Sequence, residues 1–274
     1  MSSPTDYILG TDPEELARLG LQARLWSDAS VALWKRAGFR PGQTILDAGC
    51  GPGFAARDLA GLLGPAGRVI AVDESPTFLN YLNANSASGG AHLAPITTVH
   101  ADVHDMAIEP ASVDGAYSRW VLCFVKDPQT VVDRIARALK PGASLAVQDY
   151  INYRAMTWGP GSSTCTRVVE ATAKSWELRG GDPAVGLRLP SLMQRSGLRI
   201  REVRSLVRVA TPRDALWAWP DSFFRIFVPK LVAQGFLTPA DQHAWLTEWE
   251  ALSADPTSVF NAPNMVEVIA EKPG

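Results

Sequence analysis

A glycine-rich segment near residue 50 carries the residue types best suited to binding chemistry. It reads Asp47-Ala48-Gly49-Cys50-Gly51-Pro52-Gly53 and follows the apolar pair Ile45-Leu46. Glycines allow positive φ angles and let the backbone approach a ligand closely. Asp47 places a carboxylate beside this turn, which repels phosphate and suits a cationic ligand. The segment therefore predicts a binding turn for a small ligand that carries positive charge.

The spacing of this glycine turn argues against a dinucleotide site. Its third glycine is Gly53, whereas the position at which a dinucleotide fingerprint requires glycine holds Phe54. Pro52 also removes a backbone N–H at the start of the next helix, where a pyrophosphate needs donors. A nicotinamide-dependent oxidoreductase is thus kept only as a less favoured alternative.

Two further carboxylates follow apolar runs. Asp73 directly follows the apolar run Val69-Ile70-Ala71-Val72, about 20 residues after the glycine turn. A carboxylate at this position can accept hydrogen bonds from ribose hydroxyls. The alternative is that Asp73 caps the helix predicted to begin near Pro76. Asp102-Val103 could accept from an adenine amine and donate a backbone N–H, or could be an ordinary turn.

These residues are positioned by alternating strands and helices. A helix is predicted from about 13 to 37, with a possible break near Ser27-Asp28. Strands and helices then alternate, which predicts βαβ units. The predicted strands are 44–46, 68–72, 97–101, 113–120 and 144–148, and the helices between them are 54–63, 76–85 and 128–139. The predicted fold class is α/β, with a mostly parallel sheet that is wound on both faces.

The pattern changes after residue 151. Helices are predicted over 164–178 and 189–196, Leu198–Val209 alternates as a half-exposed strand, Thr211–Ser253 is helical, and Met265–Ala270 is the last strand. We divide the chain into four parts: a helical N-terminal part, a core of alternating strands and helices around the glycine turn, a helical insertion over one edge of the sheet, and the last two strands with an aromatic-rich helical insertion. Their ranges are 1–40, 41–150, 151–190 and 191–274, with the last insertion at about 211–262.

Together these motifs resemble class I S-adenosylmethionine-dependent methyltransferases of the small-molecule type. The resemblance covers roughly residues 40–150 through ILDAGCGPG, VIAVDES, ADVHDM, YSRWVLCFVKDP and RIARALKPGASLAVQDY. It implies a Rossmann-like fold with an antiparallel last strand and helical lid insertions. In its terms, 1–40 is an N-terminal lid, 41–150 is the cofactor-binding core and 151–190 lies over the acceptor site. It also implies S-adenosyl-L-methionine as cofactor and methyl transfer by in-line displacement, mainly through proximity and desolvation. The cofactor-binding residues that it implies are Tyr7, Gln22, Asp47, Gly49, Gly51, Asp73, Glu74, Asp102, Val103, Arg119 and Trp120.

No catalytic residue is assigned, because a base is needed only when the nucleophile arrives protonated. His104, Tyr150 and Tyr153 are weak candidates, each with a loop or packing role as the alternative. Aromatic residues in the insertions could line a pocket for a small, partly apolar acceptor, or could simply form the core of the roof. They are Trp158, Trp176, Trp217, Trp219, Phe223, Phe224 and Phe227.

Composition narrows the remaining function classes. Lys and Arg number 26 against 28 Asp and Glu, so no global field attracts nucleic acid or an anionic membrane. The three cysteines lack metal or disulfide spacing, and the N-terminus lacks signal-peptide features. We expect a cytoplasmic protein with a small-molecule substrate and without a metal, and the helices of the insertions could mediate a homodimer. A second alternative is a non-methylating protein that binds the same cofactor.

Overall fold

A seven-stranded sheet forms the centre of the protein in a computed structural model, which describes residues 11–86 and 90–274. The strand order is β3-β2-β1-β4-β5-β10-β7, and only β10 runs antiparallel to the other strands of this sheet. The predicted fold class is confirmed. In chain order, the strands of the described residues are β1 (Thr44–Ala48), β2 (Arg68–Asp73), β3 (Ile96–His100), β4 (Val113–Arg119), β5 (Leu139–Asn152), β6 (Thr157–Gly159), β7 (Arg199–Leu206), β8 (Val209–Ala210), β9 (Val259–Asn261) and β10 (Asn264–Glu271).

Helices cover both faces of this sheet because successive strand residues point to opposite sides. Ile45 joins a core formed with the first three helices, whereas its neighbour Leu46 joins the larger core on the other face. Strands buried on both faces are typical of doubly wound folds. The helices are α1 (Pro13–Ala37), α2 (Phe54–Leu63), α3 (Pro76–Ser86), α4 (Pro128–Ala138), α5 (Ser163–Glu177), α6 (Leu189–Arg195), α7 (Ala218–Ala233) and α8 (Pro239–Ala254).

Local signals account for several helix boundaries. Asp12 caps α1 by accepting the Glu15 N–H at 2.8 Å, and Gly38 ends it with a φ of 85°. The possible break near Ser27-Asp28 is wrong, since α1 is continuous there. Ser27 Oγ donates to the Arg24 carbonyl, which accommodates this serine inside the helix.

A small second sheet was not predicted. Strands β6, β9 and β8 pair in that order, each antiparallel to its neighbour. The half-exposed strand predicted over Leu198–Val209 is confirmed over Arg199–Leu206, which forms β7, but its predicted C-terminal end is wrong, since Val209 pairs with Asn261 in this second sheet. The helical stretch predicted over Thr211–Ser253 is likewise divided into α7 and α8.

The C-terminal helices pack together on one side of the molecule. Helix α5 packs on α7 and α8, and α7 packs on α1. The division of the chain into a lid, a core and insertions stays a prediction. Of the helices within 11–86 and 90–274, none has the length and apolarity needed to cross a bilayer.

Candidate functional site

The glycine turn after β1 is held against the end of β2. The backbone N–H groups of Gly49 and Cys50 both donate to the Val72 carbonyl at 2.9 Å. Gly49 has a φ of 75°, and a Cβ atom there would lie 2.3 Å from Val121 Cγ2. Only glycine therefore fits at this position. At Gly51, by contrast, a Cβ atom would meet nothing within 4 Å, so the turn leaves free space there.

Asp47 is a buried carboxylate that lacks full hydrogen bonding. Asp47 is only 2 % exposed to solvent, and its Oδ2 atom has no hydrogen-bond partner among the described residues. Burial raises the pKa of Asp47 to about 7, which nearby Asp73 also favours and Arg119 opposes. A buried, unpaired carboxylate is costly, and a cationic group beside it would offset that cost.

Arg119, at the end of β4, brings positive charge next to Asp47. Its Nη1 donates to Ser30 Oγ at 2.8 Å, which ties it to α1, and its guanidinium lies 4.9 Å from the centre of the Trp120 ring. Tyr117 Oη lies 3.1 Å from the same Ser30 oxygen. The turn is thus flanked by one acidic and one basic side chain, each held by the surrounding fold.

Asp73 connects the end of β2 to the glycine turn. Its Oδ2 accepts the Gly51 N–H at 2.7 Å, and its Oδ1 accepts the Ser75 N–H at 2.9 Å. Burial raises the pKa of Asp73, although these two hydrogen bonds oppose the rise. The side chain that caps α3 is Ser75, whose Oγ accepts from the Phe78 N–H. Each Asp73 oxygen retains a lone pair for a ligand hydroxyl.

Asp102 lies beyond β3 and forms a close pair with His104. Asp102 Oδ1 accepts from the backbone N–H of His104 at 2.8 Å and contacts its ring Nδ1 at 2.7 Å. Partial burial favours a higher pKa for Asp102, but the contacts with His104 outweigh it and lower the pKa. Within the described residues, the other ring nitrogen, Nε2, is buried and has no hydrogen-bond partner.

These side chains border one large cleft, of about 1410 Å³. Tyr7 lies outside the described residues. The other predicted cofactor residues all line the cleft, and their individual roles stay predictions. They are Gln22, Asp47, Gly49, Gly51, Asp73, Glu74, Asp102, Val103, Arg119 and Trp120, and the weak catalytic candidates His104, Tyr150 and Tyr153 line the same space.

The aromatic wall of the cleft is formed by side chains that are distant in sequence. Trp120 stacks on Tyr150 and on Trp219, with ring centroids 6.0 and 5.9 Å apart. Trp176 lies 4.5 Å from the Tyr153 ring. Of the seven aromatic residues considered for the pocket, Trp176, Trp219 and Phe223 line the cleft. The other four are buried in the larger hydrophobic core and do not line it: Trp158, Trp217, Phe224 and Phe227.

Sequence reasoning missed Arg18, a buried cation on α1 that lines the cleft. Its Nε and Nη2 donate to both carboxylate oxygens of Glu15, at 2.7 and 2.6 Å, and Nη1 donates to Gln22 Oε1 at 3.0 Å. Gln22 Oε1 also accepts from Trp219 Nε1 at 2.8 Å. The available signal was spacing, since Glu15, Arg18 and Gln22 lie on one helix face.

Comparison with known proteins shows what this chain is similar to. A family model described as a methyltransferase domain matches residues 46–147. An uncharacterized 37.1 kDa protein in transposon TN4556 of Streptomyces fradiae is 27% identical over 232 residues, which cover 85% of this chain and 63% of that protein. The 2-phytyl-1,4-naphtoquinone methyltransferase of Trichormus variabilis is 33% identical over 130 residues, which cover 47% of this chain and 55% of that protein.

Solved structures agree on the fold. A geranyl diphosphate methyltransferase solved with GPP and sinefungin superposes with a TM-score of 0.57 at 18% identity, covering 91% of this chain and 78% of that one. The chain spans less than two thirds of the length of the two curated relatives above. Residues 46–147, which contain the glycine turn and the strands beneath the cleft, are thus similar to the class I, S-adenosylmethionine-dependent methyltransferases.

Proposed function

We propose that the protein binds S-adenosylmethionine in the cleft and transfers its methyl group to a small, partly apolar organic acceptor. The observation that carries the cofactor assignment is the buried Asp47 oxygen without a partner, beside a cleft that also presents Arg119. An α-amino acid group is a zwitterion, so a neighbouring acid and base offer a matched pair of contacts.

The residues present fit each part of this cofactor. Asp47 would take the aminium group and Arg119 the carboxylate. Asp73 would accept from the ribose hydroxyls through its remaining lone pairs. Asp102 and the backbone of Val103 would face the adenine. When bound, the cofactor supplies a methyl group activated by a positively charged sulfur.

The aromatic wall contributes to the reaction by excluding water and orienting the acceptor. Burial raises the pKa of both Tyr150 and Tyr153, so these hydroxyls stay protonated. They can donate hydrogen bonds to an acceptor but are poor bases. His104 is engaged with Asp102 through Nδ1, beside the predicted adenine position. We assign no general base, because we expect the acceptor atom to enter the cleft in a form that can attack the methyl group without first losing a proton.

The chemical class of the acceptor is indicated by the aromatic wall of the cleft and not by the glycine turn. Trp120, Tyr150, Trp176 and Trp219 offer flat apolar surfaces, which suit an apolar or planar molecule. The two named methyltransferases reported above act, by their names, on a phytyl-naphthoquinone and on geranyl diphosphate, which supports such an acceptor. A homodimer and a cytoplasmic location stay predictions from the sequence.

Calorimetric titration tests the cofactor assignment. S-adenosylmethionine and S-adenosylhomocysteine should bind to one site, and Asp47→Asn should weaken both. Asp105→Asn is the matched control, because Asp105 is exposed and does not line the cleft. Tight NAD binding without S-adenosylmethionine binding would support the oxidoreductase alternative and refute the proposal.

An acceptor screen then tests the reaction. Small quinones, phenols, isoprenoids and amines are incubated with S-adenosylmethionine, and release of S-adenosylhomocysteine is measured. We expect turnover on apolar or planar compounds. Cofactor binding without release on any small acceptor would favour the non-methylating alternative, and turnover only on protein or RNA would contradict the acceptor class.

A further inference from the structure

Two cations stand at one side of the cleft. Lys126, in the loop after β4, and Arg179, just beyond α5, are both exposed, and both line the cleft. Gly180 brings their segments together, since a Cβ atom on it would lie 2.7 Å from Lys126 Cγ. Within 11–86 and 90–274, neither cation has an ion-pair partner.

The acidic residues near these cations are engaged elsewhere. Glu177 accepts from Arg154, and Asp182 accepts from Arg188. Asp127, adjacent to Lys126, caps α4 by accepting the backbone N–H groups of residues 129 and 130. Among the described residues, therefore, none of these carboxylates forms an ion pair with Lys126 or Arg179, and both cations can pair with a ligand anion.

The two segments are held in place by backbone contacts. The Gly181 N–H donates to the Trp176 carbonyl at 3.0 Å, and the Asp182 N–H donates to the Cys123 carbonyl at 2.9 Å. These bonds fasten the end of α5 to the loop after β4. The two cations thus belong to segments whose backbones are fixed against each other, which reduces the entropic cost of gripping a ligand.

Aromatic side chains lead from these cations into the cleft. Phe124 and Trp176 meet edge to face with ring centroids 4.8 Å apart, and Trp176 stacks on Tyr150 at 5.9 Å. The Trp176 Nε1 is buried and, among the described residues, lacks a hydrogen-bond partner. The wall beside the cations is therefore apolar but offers one unused donor.

The geometry points to an acceptor that carries an anionic group, a carboxylate or a phosphate, held by Lys126 and Arg179. Its apolar body lies along Phe124, Trp176 and Tyr150. The anionic group serves as a handle and takes no part in bond making. This inference rests on the proposed function, because it names the chemical class of the acceptor for the same cleft.

Binding of matched ligand pairs tests whether an anionic group on the acceptor strengthens binding, and it does not require turnover. Each pair shares an apolar body and differs in charge: 2-naphthoate with 2-naphthamide, 1-naphthyl phosphate with 1-naphthol, and decanoate with decanol. Binding to the protein saturated with S-adenosylhomocysteine is followed by calorimetry. Two partly exposed ion pairs together should favour the anionic member by about tenfold. Raising the ionic strength from about 0.05 M to about 0.5 M should shrink that preference.

Substitution assigns the preference to the two cations. Lys126→Gln/Arg179→Gln should remove it while leaving the affinity for the neutral members unchanged. The control is Lys35→Gln/Arg213→Gln, which changes the net charge equally at exposed residues that do not line the cleft. The control variant should keep the preference of the wild type.

Equal binding of anionic and neutral members to the wild type would overturn the inference, as would an unchanged preference in the cleft variant. Failure of the proposed function is seen separately, as absence of S-adenosylmethionine and S-adenosylhomocysteine binding in the titration described above. The ligand pairs can then be measured on the protein without cofactor, so the two failures are distinguishable.

Discussion

In the ligand-free protein, Asp47→Asn should change the free energy of unfolding more favourably at alkaline pH than at acidic pH. The pKa of the folded carboxyl is about 7, against an ordinary value of 3.8. A raised pKa means that the folded state binds the proton more tightly than the unfolded state. The stabilisation that comes from protonating the buried Asp47 carboxyl is therefore fully present below about pH 4, and it is lost as the pH rises through about 7.

The size of this effect follows from the two pKa values. Between pH 5 and pH 8, Asp47 alone should reduce the free energy of unfolding of the wild type by about 2–3 kcal/mol. Asp47→Asn lacks this titration. Because the introduced amide is also removed from water, the informative quantity is how the difference in free energy of unfolding between variant and wild type changes with pH. In melting temperature the change corresponds to roughly 5 °C.

Urea unfolding of the wild type and Asp47→Asn at pH 5, 6, 7 and 8 measures this difference. Burial also raises the pKa of Asp149 to about 6, but that titration occurs in both proteins and cancels in the comparison. Asp105→Asn should follow the wild type at every pH. A difference between Asp47→Asn and wild type that stays constant from pH 5 to pH 8 would refute the reasoning, since Asp47 would then not be an unpaired buried carboxyl.

The same substitution should have the opposite effect on ligand binding. Wild-type affinity for S-adenosylhomocysteine should rise between pH 6 and pH 8, because only the ionised Asp47 attracts the aminium group. Loss of one charged hydrogen bond should weaken binding by about 10- to 100-fold at pH 8 in Asp47→Asn, and the residual affinity should not follow the same pH dependence. Equal affinities of wild type and variant at pH 8 would place the aminium elsewhere.

Further substitutions probe the glycine turn, the end of β2 and the aromatic wall. Gly49→Ala should lower the free energy of unfolding by about 1–3 kcal/mol in urea titrations, because of its positive φ and the clash with Val121, and Val121→Ala should restore part of the loss; no loss at all would contradict the close approach. Asp73→Asn should weaken S-adenosylhomocysteine binding at least about tenfold in calorimetry, since an amide offers fewer acceptors to Gly51 and the ribose; unchanged affinity would remove Asp73 from the ribose site. Tyr150→Phe should raise KM for the acceptor without shifting the pH profile of kcat, because the buried hydroxyl acts as a donor; loss of an ionisation in that profile would instead make Tyr150 a base.

Local sequence signals determined the cofactor side of the cleft. The glycine turn is bounded by an apolar strand and a helix, and α2 begins and ends at Phe54 and Leu63 as its spacing predicts. The turn and the helix depend on backbone preferences and burial periodicity within a few neighbouring residues, which a sequence displays directly. The antiparallel last strand was implied only by the resemblance to the methyltransferase family.

Contacts across the fold determined what the side chains around the cleft do. Arg119 bonds to Ser30 across 89 positions of the chain, and Trp219 bonds to Gln22 across 197. The strand predicted to reach Val209 ended at Leu206 because the next residues found partners in a second sheet. No local pattern encodes such pairings.

The sequence by itself placed a carboxylate beside a glycine turn and so determined the kind of ligand that the turn favours. Only the tertiary structure decided that Asp47 is buried with one oxygen unpaired, that Arg119 stands near it, and that the aromatic wall meets Lys126 and Arg179. The physical reason is that burial, electrostatic coupling and the shape of a cleft arise from residues far apart in the chain.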